Sequence, residues 1–175
     1  MVKKIMLGVA AVIAVILIFA ATRPETFRVE RTVTIKAPAE KVFPLINDLA
    51  SQMQWSPWEK LDPAMKRKLS GPSAGKGAVY EWDGNSEVGK GRIEITDSVA
   101  PTSVTLKLDM IEPMEGHNTV EFKLAAKDGV TYATWAMHGA QPYIGKLVGI
   151  FIDCDKMVGT QFESGLANLK AIAEK

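Results

Sequence analysis

One cysteine, Cys154, and two histidines, His117 and His138, are all the thiol and imidazole metal ligands that the 175-residue chain contains. A disulfide within the chain is excluded, as is a cysteine-built metal cluster. Two histidines without a spaced acid cluster give a metal ion no ligand set, and no cofactor is expected. Excess charge is missing too. The net charge is +1, with acids and bases spread along the chain, so there is neither a basic stripe for nucleic acid nor an acidic tail. The densest basic run, Lys66-Arg67-Lys68, is short and sits in a strand-like context, which reads as a solvated strand surface. No Gly-x-Ser-x-Gly nucleophile elbow is present. The stretch "GPSAGKG" fails as a phosphate loop, because the spacing from Gly71 to Gly75 is too short and Gly77 stands where Ser or Thr is required. The two "GKG" triplets, at Gly75 and Gly89, read instead as bends at strand ends. Internal repeats and low-complexity segments are absent.

Long hydrophobic runs are not absent. Ile5 to Ala21 carries no charged or polar side chain; Lys3 and Lys4 precede it and Thr22-Arg23-Pro24-Glu25 ends it. As a helix it spans roughly 25 Å, the short end of a membrane crossing. A signal peptide is the competing reading, but no clean Ala-x-Ala cleavage site follows the run. Residues 1–25 are therefore expected to be an N-terminal transmembrane anchor or an uncleaved signal, with membrane contact through residues 5–21. Lys3 and Lys4 favour the cytoplasmic side, which puts residues 26–175 outside the cytoplasm, periplasmic or extracellular. Arg23, Arg28 and Arg31, beyond the run, pull against that orientation.

Thr26 to Lys36 alternates, with Phe27, Val29, Val33 and Ile35 on one parity, and predicts a half-buried strand. Pro38 and Glu40 suit the start of a helix, whose apolar stripe is Val42, Leu45 and Ile46 and whose length Pro44 limits. A short turn is expected over Leu49 to Gln54. Strands are then expected over Ala64 to Leu69, Ala78 to Asp83, Gly91 to Asp97, Ser103 to Met110, Asn118 to Ala126 and Val130 to His138. Asp83-Gly84-Asn85 reads as a tight hairpin turn. One polar face per strand predicts an antiparallel sheet covered on one side only. The cover must come from the end of the chain, where Ile144, Leu147, Phe151, Val158, Phe162 and Leu166 recur at threes and fours along one long helix, with a break near Asp153 or Gly159.

That order of elements, with "TIKAPAEKVFPLINDLASQMQWSPW" near the start and "FESGLANLK" near the end, resembles the START-like or SRPBCC superfamily, in particular its polyketide cyclase/dehydrase and lipid transport group. The resemblance covers about Phe27 to Glu174. It implies an α+β helix-grip fold, a curved antiparallel sheet wrapped on a long C-terminal helix, over residues 26–175. It also implies a hydrophobic cavity between the two, and as partner a hydrophobic small molecule or lipid. Its motifs mark a fold and are not catalytic signatures, so the fold alone leaves the chemistry open.

Set into that architecture, the inward strand parity supplies Tyr80, Trp82, Met110, Phe122, Trp135 and Met137 as candidate ligand contacts, and the helix supplies Phe151, Val158 and Phe162. Trp55 and Trp58, on either side of Ser56-Pro57, either pack under the sheet rim or line the cavity entrance. No catalytic residue is expected. His138 shares the outward parity, Cys154 has no histidine near it in sequence, and Glu81 alternates with Tyr80 and Trp82 and so faces solvent. The functional expectation is a membrane-anchored binding or carrier domain for an apolar molecule. The alternatives are a cyclase/dehydratase-type enzyme acting on a polyketide-like substrate and a protein-interaction domain without a ligand.

Overall fold

The structure, a computed structural model, describes residues 2–175. Helix α1, Val2–Ala21, comes first. Strand β1, Thr26–Ile35, follows, then three short helices, α2 (Ala39–Asn47), α3 (Leu49–Gln52) and α4 (Trp58–Leu61). Six strands complete the sheet: β2 (Lys66–Ser70), β3 (Val79–Asp83), β4 (Lys90–Val99), β5 (Ser103–Glu112), β6 (Gly116–Lys127) and β7 (Val130–Ala140). Two helices close the chain, α5 (Tyr143–Phe151) and α6 (Cys154–Ala173).

The seven strands form one antiparallel sheet in the order β1-β7-β6-β5-β4-β3-β2. Strands β2 to β7 are a meander, and β1 joins it by pairing with β7. Alternation does what it predicts: Val104, Leu106, Val120, Phe122, Leu124, Ala133 and Trp135 are buried, and their neighbours in sequence mostly are not. In β4 the register against β5 shifts between Ile95 and Asp97, a bulge that bends the strand. The Ser98 hydroxyl, past that bulge, donates to the Asn47 side chain at 2.7 Å and ties the sheet to the end of α2.

The loop from β3 to β4 differs from the expected tight turn. Asp83 pairs with Lys90, and Gly84 to Gly89 lie between them. Buried Val88 folds back in that loop, and the Asp62 carboxylate accepts the Asn85 backbone N–H at 2.7 Å. An apolar residue four positions after the glycine, with a partner from another element, outweighed the local turn signal.

The C-terminal helical stretch is divided into two helices. It breaks at Ile152-Asp153, the first of the two anticipated places, while Gly159 lies inside α6. Asp153 caps α6, its carboxylate accepting the Lys156 backbone N–H at 2.9 Å. The break turns α5 away from the sheet and onto α1. Only α6 grips the sheet, and it does so through Phe162, Leu166 and Leu169, all buried. Arg31 on β1 fixes α6 from outside. Its Nη2 donates to Asp155 at 2.9 Å and its Nε to Glu163 at 2.7 Å.

The interior therefore has two halves. At one end of the sheet, Ile35, Val42, Phe43, Ile46, Leu106 and Leu169 form a close-packed core under α2 and the second half of α6. At the other end α5 has left the sheet, and only the first turns of α6 and the one-turn helices α3 and α4 border it.

A candidate apolar ligand cavity

The uncovered end of the sheet holds a cavity of about 340 Å³. Its floor comes from Ile93, Leu108, Met110, Val120 and Met137, its back wall from Phe122, Trp135 and Phe162, and its rim from Gln52, Met53, Glu87, Val88 and Pro113. All four tryptophans of the chain line it: Trp55, Trp58, Trp82 and Trp135.

The rings are ordered by one another. Trp135 stacks on Phe162, with centroids 4.2 Å apart and planes within 9°. Trp55 and Trp58 both meet Trp135 edge-on, at 5.4 and 5.6 Å. Such edge-to-face pairs place positive ring edges on negative faces. Gly165 on α6 makes the stack possible, because a Cβ there would strike the Trp135 ring and Pro57. The Trp135 Nε1 is buried without a hydrogen-bond partner.

Trp55 and Trp58 divide the two roles left open for them. Trp55 is 1% exposed, and its Nε1 donates to the Leu45 carbonyl at 2.9 Å, so it is a pillar between α2 and the sheet with one face on the cavity. Trp58 is only half-buried and leans over the opening against Trp135 and Phe162. Tyr80 and Trp82 stack at 5.9 Å on the far wall, where Trp82 donates to the Val88 carbonyl at 3.2 Å. Gly91, opposite Trp82, leaves room for that indole to lie across the next strand.

Nine of the ten expected ligand contacts thus stand around one space: Trp55, Trp58, Tyr80, Trp82, Met110, Phe122, Trp135, Met137 and Phe162. Phe151 is the correction. It is 75% exposed at the end of α5, away from the cavity, because the break at Ile152-Asp153 swings α5 outward. Val158, on the first turns of α6, is the residue that takes the place on the wall.

One corner is polar. The Tyr80 hydroxyl donates to Glu59 Oε1 at 2.6 Å, and Arg67 Nε donates to Glu59 Oε2 at 2.6 Å. Arg67 is spent further on the Met65 carbonyl at 2.6 Å. Burial first, and then the hydrogen bond to Glu59, push the Tyr80 phenol well above its ordinary pKa of 10.0. Tyr80 therefore stays a donor at neutral pH. Glu59 and Tyr80 border the cavity, and each keeps unused oxygen lone pairs.

Glu59 and Arg67 were not among the sequence candidates. Arg67 lay in a basic run read as strand surface, and its neighbours Lys66 and Lys68 are indeed exposed. The signal for Arg67 was cross-strand: it pairs with Trp82, and directly paired residues share a face. Glu59 had no periodic signal, since α4 is a single turn. The other titratable candidates lie elsewhere. Glu81 pairs with Lys68 at 2.9 Å on the outer face, and that hydrogen bond lowers its pKa. His138 faces outward, 3.7 Å from Glu121, and His117 bonds Asp109 at 2.6 Å in an exposed position. Among the described residues no group of three His, Cys, Asp or Glu side chains is arranged to hold a metal ion.

Comparison with known proteins agrees with the fold. The sequence matches the family described as polyketide cyclase / dehydrase and lipid transport over residues 26–174. Among solved structures, protein CV1439 from Chromobacterium violaceum superposes with a TM-score of 0.61 at 16% identity, covering 87% of this chain and 99% of that one. Protein Ms6760 from Mycobacterium smegmatis does so at 0.57 and 18%, covering 83% and 89%. The di-domain ARO/CYC protein BexL, from the BE-7585A biosynthetic pathway, gives 0.57 at 19% identity, covering 89% of this chain and 51% of its own. These likenesses are of fold. No curated protein matches the sequence.

Proposed function

The chain belongs to the polyketide cyclase/dehydrase and lipid transport family, and on that footing we propose that it is a membrane-anchored binding or carrier domain. Its ligand is a hydrophobic small molecule or lipid that carries a hydrogen-bond donor such as a hydroxyl. The observation that supports this is the cavity itself: an apolar, aromatic-walled space with one fixed polar corner. Affinity comes from burial, about 0.8 kcal/mol for each methylene removed from water. Orientation comes from the Glu59–Tyr80 corner, whose free lone pairs accept a donor from the ligand.

The anchor in this reading is α1. Its 20 residues span about 30 Å, the thickness of a bilayer core, and its apolar side chains are exposed except at half-buried Ile16 and buried Ala20. The cavity domain follows on the extracytoplasmic side.

The cavity test uses the full chain in detergent or nanodiscs and reads intrinsic fluorescence, since every tryptophan borders the site. Titration with n-alkanols of increasing length should show affinity rising about fourfold per methylene until the cavity is filled, then levelling off. Fluorescence that does not respond at any chain length would overturn the reading.

The same corner favours a second reading, a cyclase- or dehydratase-type enzyme, because a carboxylate at the wall of an apolar cavity is placed to take a proton from a bound substrate. Glu59→Gln separates the two. A carrier keeps most of its affinity, whereas an enzyme keeps binding but loses turnover of a polyketide-like substrate.

A further inference from the structure

Helix α5 is not needed to close the core, and its outer face is apolar. Ile144, Val148 and Phe151 are all exposed, at 57, 40 and 75%. Their i, i+4, i+7 spacing puts them on a single face. Lys146 is the only charged residue of the helix and lies on the other side, half-buried. A contiguous exposed apolar stripe on a folded domain marks a contact surface.

Its neighbour says what the contact is. Helix α5 packs on the last turns of α1, and two hydrogen bonds set the register. The Tyr143 hydroxyl donates to the Leu17 carbonyl at 2.9 Å, and the Arg23 guanidinium donates to the Gly149 carbonyl at 3.4 Å. Tyr143 at the start of α5 meets Leu17 within α1, and Gly149 near its end meets Arg23, two residues past α1, so the two helices run in the same direction. With Arg23 at the headgroups, Leu17 lies about 9 Å deeper, and the start of α5 goes down beside it. That depth is the one at which amphipathic helices rest at the boundary of headgroups and acyl chains. The only polar side-chain atom of Tyr143 is already bonded to α1, and Lys146 has a stem long enough to reach the headgroups.

The same end of the sheet carries the cavity. Thr26, the first residue after the anchor segment, pairs with Ala140, the last residue of β7. Across the sheet from Gly139, next to Ala140, the successive paired positions are Asn118, Leu108, Ile93 and Tyr80, all in the cavity lining.

We propose that α5 is a second membrane contact, seated in the outer leaflet beside α1 with Ile144 deepest, Val148 shallower and Phe151 at headgroup level, and that it holds the cavity end of the domain against the lipid surface. The occupant of the apolar stripe is the bilayer. This rests on α1 being a retained anchor, and the experiment keeps the two apart.

In the full chain carrying Cys154→Ser, single variants Ile144→Cys, Phe151→Cys and, as a control, Lys127→Cys at the β6–β7 turn are labelled with an environment-sensitive fluorophore. They are reconstituted in phosphatidylcholine vesicles. Bromine-labelled acyl chains quench from the lipid, and iodide quenches from water. The label at Ile144 should lose most of its emission to brominated lipid and little to iodide, Lys127 should do the reverse, and Phe151, at headgroup level, should lie between them. Alkaline carbonate should leave the protein in the vesicles. Protein that stays in the vesicles while all three labels behave alike overturns the role of α5 and leaves the anchor standing. Labels at Ile144 and Phe151 shielded from both quenchers also overturn it, because a second copy of the chain then covers the stripe. Release by carbonate overturns the anchor, and the seating of α5 with it.

Discussion

Trp55 is held at both ends, by its indole N–H on the Leu45 carbonyl and by Asn168, which donates to its backbone carbonyl at 3.1 Å. Trp58 has neither restraint. Trp55→Ala should therefore cost about 3–5 kcal/mol of stability in a urea titration, the range for a buried aromatic. Trp58→Ala should cost clearly less and instead weaken alkanol binding, read by the quenching of the remaining tryptophans. Tyr80 makes a second prediction. Its pKa is raised in the folded protein, so the stability it contributes is full below the ordinary tyrosine value of 10.0 and is lost as pH rises toward the higher folded value. Stability measured through the alkaline range should fall for the wild type more steeply than for Tyr80→Phe. The same variant should also lose about fivefold of the preference for an alkanol over the matching alkane. At this scale the aromatic wall was legible in the sequence, because strand parity alone assigns Tyr80, Trp82, Phe122 and Trp135 to one face. The polar corner was not. Glu59 and Arg67 meet only through the pairing of β2 with β3 and a one-turn helix, and neither leaves a periodic trace.

The break between α5 and α6 shapes the site at the level of elements. The stripe Ile144, Leu147, Phe151, Val158, Phe162 continues at helical spacing across the break, so periodicity extended one helix over both and assigned Phe151 to the cavity. What periodicity does not carry is the capping chemistry of Asp153, which starts a new helix in a new direction. Asp153→Ala should destabilise the domain by about 1 kcal/mol, measured by thermal unfolding. The clamp from Arg31 to Asp155 and Glu163 adds a pH signature. The hydrogen bond from Arg31 holds the Asp155 pKa below its ordinary 3.8. A depressed acid stabilises the fold above its ordinary value, and the contribution is lost as pH falls through the lower folded value. Urea midpoints compared at about pH 6 and about pH 3 should drop for the wild type. The drop should be smaller for Arg31→Gln, which has no clamp to lose.

The whole molecule is a sheet whose far end is filled and whose near end is hollow, with the hollow end next to the one helix apolar enough to cross a membrane among the described residues. The antiparallel meander, the single gripping helix and the N-terminal apolar helix were legible from alternation and run length. The hollow was legible only as a surplus of large aromatics, since a filled core and a lined cavity draw on the same residue types. The central claim is that this space takes up an apolar molecule. Native mass spectrometry tests it most directly, on full-length protein extracted from its own membrane in mild detergent, beside Leu108→Trp, which fills the space from the floor. The wild type should carry an added apolar species, released on collisional activation, that Leu108→Trp lacks while keeping the folded charge-state distribution. Each folded protein appearing only at its own bare mass, in repeated extractions, would contradict the claim.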